Sequence, residues 1–100
     1  LAAAARPYAA PGVKSLRCFE TPSSTEWGPP AGLAPFHPQA YVDISRYLAI
    51  KLDAFSLYTS EVRPWPHPRS REALEARARS WGSVVGVEAA EAFVVAREVC

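Results

Sequence analysis

Three side chains that can do chemistry sit in one short stretch, Arg63-Pro64-Trp65-Pro66-His67-Pro68-Arg69-Ser70. His67 can carry or take a proton near neutral pH. Arg69 presents a planar fork of donors to a carboxylate or phosphate. Trp65 offers a large flat ring. The prolines lack an N–H and hold φ near −65°, so the stretch is a stiff, extended connection and neither helix interior nor central strand. A second group is Ser23, Ser24, Thr25, Glu26 and Trp27, a dense set of polar donors and acceptors beside a ring. Such residues either cap helices and cover the core or line a pocket or interface. The two histidines, His37 and His67, both lie on proline-flanked loops 30 residues apart. Without a third ligand nearby they do not make a metal site. Cys18 and Cys100 form no C-x-x-C or Cys/His cluster, which reads as a pair of reduced thiols and a reducing cytoplasm.

The elements that must position these residues follow from periodicity and punctuation. Ala2 to Ala10 reads as the tail of a helix ending before Pro7, and Pro11-Gly12 is a turn signal. Val13 to Thr21 alternates imperfectly between apolar and charged residues, which predicts a strand over about residues 15–20. Pro22 to Pro38 has five prolines, two glycines and no usable period. Loops that long are usually functional or disordered, and Trp27 and Phe36 argue against disorder. A short strand is expected at 40–43, with Asp43 or Ser45 as cap for the next helix.

Ile44, Leu48, Leu52, Phe55, Thr59 and Val62 recur every three or four residues, predicting an amphipathic helix over about 44–62. After the prolines, Ser70 is a good N-cap and Glu72 favours the first turn. Leu74, Ala78, Trp81 and Val85 form the stripe of a second helix, about 71–85, which Gly82 weakens and Gly86 ends. Glu75 and Arg79 are spaced for an i,i+4 pair worth about 0.3 kcal/mol, and the arginine cluster reads as a solvated, salt-bridged face. The last segment is ambiguous from propensity: Ala and Glu favour helix, Phe93-Val94-Val95 favours strand.

Composition bounds the function. One hundred residues make one small domain, and 49% hydrophobic residues supply a core. Ten prolines, seven of them in the first 40 residues, argue against regular structure there. A net charge of +1 gives no electrostatic reason to expect nucleic acid or an anionic membrane. No apolar run approaches the roughly 20 residues that span a bilayer. No internal repeat, phosphate loop, paired-carboxylate motif or nucleophile elbow is present. A start at Leu1 in place of Met reads as a fragment or processed piece.

Several segments nevertheless resemble, in order, the LmbE/PIG-L family of zinc-dependent deacetylases. They are Glu20-Thr21-Pro22-Ser23-Ser24-Thr25-Glu26-Trp27; Tyr41-Val42-Asp43-Ile44-Ser45 followed by Lys51-Leu52; Pro66-His67-Pro68-Arg69-Ser70; and Gly82 to Phe93. The resemblance spans about residues 15–98 and is nearest to the bacterial branch that includes the bacillithiol-pathway enzymes. It implies an α/β fold, the C-terminal part of a Rossmann-like three-layer sandwich, with the ambiguous segment a strand over about 91–98. It covers only the C-terminal half of such a protein. The family's Ala-His-Pro-Asp-Asp segment and its second zinc-binding histidine segment do not occur in these residues.

The resemblance implies zinc in the full-length family and none expected on this chain alone, with no metal ligands and no catalytic residues here. The whole-enzyme chemistry would be removal of an acetyl group from an N-acetylglucosaminyl-type sugar. It implies substrate-binding candidates at Ser24, Glu26, Trp27, Tyr58, His67 and Arg69. Trp27 would stack on a sugar face, and His67 and Arg69 would contact substrate or a neighbouring subunit. Implied partners are the sugar and either further copies of the chain or the missing N-terminal half, with no nucleic acid and no membrane. The alternative is a non-catalytic assembly domain.

Overall fold

The structure, a computed structural model, describes Arg6, residues 12–21 and residues 36–100. It is mixed α/β, with strands β1 (Ser15–Phe19), β2 (Ala40–Asp43) and β3 (Ala90–Glu98) and helices α1 (Leu48–Ser56) and α2 (Arg71–Val85). The strands form one antiparallel sheet in the order β1-β3-β2. The long last strand is therefore central, and it settles the ambiguous segment as strand: Phe93 pairs with both Phe19 and Ala40. Its apolar β-branched and aromatic residues suit a strand flanked on both sides.

Antiparallel partners share a face of the sheet, and successive residues alternate. Tyr41 pairs with Ala92, and Glu20 follows Phe19, so Tyr41, Ala92 and Glu20 fall on the same face. Ala90 and Ala92 are buried, small enough to let α2 come close. The other face carries Phe19 and Val42, which remain 70% and 42% exposed. The core proper lies between the helices and the start of β3: Ile44, Leu48 and Leu52 meet Ala78 and Ala89, with Leu74 packed against them.

The second helix runs over the expected residues. Ser70, fully buried, has extended backbone, and its hydroxyl accepts the Ala73 N–H at 3.1 Å. Gly86, at φ 82°, closes the other end in the left-handed region that glycine adopts at no steric cost. Gly82 departs from its expected role. It is buried where the chain turns back into β3, and a Cβ there would lie 2.5 Å from the Val87 carbonyl oxygen. The weak helix former is thus required by a close approach of backbone to backbone. Val85, expected on the buried stripe, is exposed, and Gly82 occupies the buried position instead.

The first helix is shorter than its apolar period implies, Leu48–Ser56 in place of 44–62. Its front end is taken by the sheet and a side-chain turn. The Ile44 N–H extends the ladder to the Ala89 carbonyl, and Asp43 Oδ1 accepts from the Ser45 N–H at 3.0 Å and its hydroxyl at 2.6 Å. Asp43 therefore caps a turn, not the helix, which starts after Tyr47 without a side-chain cap. At the back end, Leu57 and Tyr58 donate to carbonyls three residues earlier, tightening the chain out of α-geometry. The Ser56 hydroxyl also bonds to the Leu52 carbonyl.

Candidate functional site

The α1–α2 connection is built almost entirely from its own hydrogen bonds. His67 N–H donates to the Pro64 carbonyl, Ser70 N–H to the His67 carbonyl and Arg63 N–H to the Arg69 carbonyl. The Trp65–Pro66 peptide is cis. His67 Nδ1 accepts the Arg69 N–H at 3.0 Å. Arg69 Nη1 reaches Glu61 Oε2 at 2.9 Å, while its Nε is buried without a hydrogen-bond partner among the described residues. Arg71 then ties the connection to the first helix, bonding the Ser56 hydroxyl at 3.0 Å and Asp53 at 2.9 Å. Partial burial and the charges of Arg69 and Arg63 hold the His67 imidazole below the usual histidine range.

Three of the sequence-derived candidates lie on this connection. His67 and Arg69 are half-buried and committed to one another and to Glu61. Tyr58 sits at its start, 66% exposed, and its carbonyl accepts from Glu61 and Val62. Ser24, Glu26 and Trp27 lie outside the described residues.

A second site was not singled out from the sequence. An open groove of about 780 Å³ runs along α2 between the end of β1, the centre of β3 and the 65–68 turn. Trp65, Pro66 and Pro68 form part of one wall; Glu20, Arg77 and Trp81 are among the residues that bring polar atoms to it. Trp81 is fixed from three sides. Its indole N–H donates to Glu20 Oε1 at 2.8 Å, and the rings of Phe36 and Tyr41 meet it edge-on at 6.0 and 6.2 Å. Arg77 Nε stands 3.7 Å from the same carboxylate oxygen. Glu20 Oε2 is buried and has no hydrogen-bond partner among the described residues.

The groove is the kind of surface that binds small molecules: mostly apolar and aromatic, in the usual size range, with a few converging polar groups. The signals for it were faint. Glu20 ends a strand on the inward side, and Trp81 lies on a helical stripe, but they are 61 residues apart. Lys51 and Glu91, paired at 3.0 Å across the helix–strand boundary, close another side.

Among the described residues no group of three or more His, Cys, Asp or Glu side chains is placed to hold a metal ion. Both cysteines are free thiols, Cys18 half-buried and Cys100 exposed. No helix among the described residues is long and apolar enough to cross a membrane. Comparison of the chain with family models, with curated proteins and with solved structures gives no match.

Proposed function

We propose that this chain forms the substrate-pocket wall of a cytoplasmic LmbE/PIG-L-type hydrolase acting on an N-acetylglucosaminyl-type sugar. Its sheet and helices would then be the C-terminal part of a Rossmann-like sandwich. The observation that carries the reading is the aromatic groove along α2, with a carboxylate and a guanidinium converging at Trp81. Exposed indole rings such as Trp65 give an apolar surface for the C–H face of a sugar. Glu20 accepts a hydroxyl or amide proton, and Arg77 donates to a carbonyl or ring oxygen.

In this reading the chain binds and orients, and it performs no bond cleavage. Zinc and the proton-transferring groups belong to segments that these residues do not contain, so no catalytic step is assigned to it. His67 Nδ1 and Arg69 Nη1 are engaged within the connection, so in this reading these two side chains brace it, while Tyr58 contributes its backbone carbonyl there. The experiment is to incubate the purified chain with zinc and an N-acetylglucosaminide and measure bound metal and released acetate. No stoichiometric zinc and no acetate is the expected result. One zinc per chain with acetate release would place the whole reaction within this chain and overturn the division of labour.

A second reading, an assembly domain without a sugar ligand, is favoured by a different observation. Phe19, Ile50 and Leu57, three large apolar side chains, are 70%, 66% and 81% exposed. Both readings expect this surface to be covered, by the complementary half or by further copies of the chain. Sedimentation at high concentration checks it, and a monomer throughout would count against self-association.

A further inference from the structure

We propose that the His67 turn is a pH-sensitive latch on the α1–α2 connection, closed when the imidazole is neutral and released when it takes a proton at Nδ1. The geometry fixes the logic. Nδ1 is the acceptor for the Arg69 N–H at 3.0 Å, so the ring proton of the closed state sits on Nε2. A proton from solvent on Nδ1 turns that acceptor into a donor facing another donor, and the contact is lost.

The same proton adds a positive charge between two others. Arg63 and Arg69 flank the ring in its own turn. Glu61, from the segment after α1, is occupied by Arg69 at 2.9 Å. From the helices packed alongside, Asp53 of α1 is paired with Arg71 of α2 at 2.9 Å, and Glu72 lies in the exposed first turn of α2. Glu61 and Asp53 are thus each engaged by an arginine.

What the latch controls follows from its bonds. The Arg69 N–H and carbonyl hold the two limbs of the turn, and the next residue is the buried cap of α2. Opening the His67–Arg69 contact loosens the Ser70 cap and the Arg71 ties to α1 together. The sign is that of a base whose folded-state pKa lies below its unfolded value of about 6.5. Stability is full above that pH and falls as the pH drops through 6.5 toward the folded pKa.

The test uses the whole chain between pH 7.5 and 5.5, above the range where exposed carboxylates titrate. NMR follows the His67 ring and the Arg69 backbone amide, and thermal melts are recorded across the same range. The ring is expected to titrate below 6.5, with the Arg69 amide moving at the same midpoint. The Tm should fall by a few degrees, the scale on which one hydrogen bond moves a domain of this size. His67→Asn keeps an acceptor oxygen in place of Nδ1 and cannot charge, so it should fold with a Tm that no longer falls. His37→Asn, at the other histidine, should leave the fall unchanged. Titration at or above 6.5, an Arg69 amide indifferent to it, or a fall that persists in His67→Asn would each overturn the latch. The first two need only the unaltered chain.

Discussion

The connection at 63–70 and the groove along α2 hold their reactive side chains in opposite ways. In the connection the partners are close in sequence: His67 bonds to Arg69, and Arg69 to Glu61. The prolines restrict the chain before folding, so little further entropy is lost on closing the turn. In the groove the partners are distant in sequence, Glu20 and Trp81 on different elements, and one carboxylate oxygen has no hydrogen-bond partner among the described residues. An unpartnered buried acceptor destabilises a fold by about 1–3 kcal/mol, and a ligand that donates to it removes that cost. Each region thus keeps one buried polar atom without a hydrogen-bond partner among the described residues, Arg69 Nε in the connection and Glu20 Oε2 in the groove, but only the groove sets an open aromatic wall beside it.

The contrast can be broken from either side. The largest effect is expected at Gly82, where the end of α2 meets the start of β3. Gly82→Ala forces a methyl group against the Val87 carbonyl and should cost about 1–3 kcal/mol in urea unfolding, despite the better helix propensity of alanine. A stability gain would show that the close approach is not maintained in solution. Next is Ser70→Ala, which removes the cap at the end of the connection and should cost about 0.5–2 kcal/mol, with Ser70→Gly costing less.

In the groove, a double-mutant cycle of Glu20→Ala and Trp81→Phe should give a coupling of about 1 kcal/mol, because the two side chains share one hydrogen bond. Additive effects would mean that Trp81 is held by Phe36 and Tyr41 alone. The smallest effect is expected on the outer face of α2. Glu75→Ala removes an exposed pair with Arg79 at 3.4 Å, and about 0.3 kcal/mol should be lost.

Local signals made much of this legible in advance. The second helix could be read to its ends because Ser70, Glu72 and Gly86 state start and stop within the chain itself. The strand at 40–43 has the expected bounds, and that at 15–20 ends one residue earlier, at Phe19. The first helix was over-extended because apolar period alone does not reveal competitors. Asp43 and Ser45 bond to each other, Ile44 joins the sheet, and Leu57 and Tyr58 tighten into a turn.

The final strand is balanced in propensity and only the resemblance implied a strand over about 91–98; it runs over Ala90–Glu98, where pairing on both sides decides it. The groove was least legible. Glu20 and Trp81 become a site only when β1 and α2 are brought together, and no spacing in the sequence encodes that. The family resemblance directed attention to the loop and the proline turn. The groove takes residues from the edges of the resembling segments, Glu20 at the start of one and Trp65 just before Pro66-His67-Pro68-Arg69-Ser70.

The central claim is that the groove, and not the His67–Arg69 turn, takes the ligand. NMR titration of the chain with an N-acetylglucosaminide tests it most directly. The indole N–H signals of Trp65 and Trp81 should shift together and saturably, while the Arg69 amide and the His67 ring stay in place. Shifts confined to His67, Arg69 and Tyr58, or no saturable shift at either site, would contradict it.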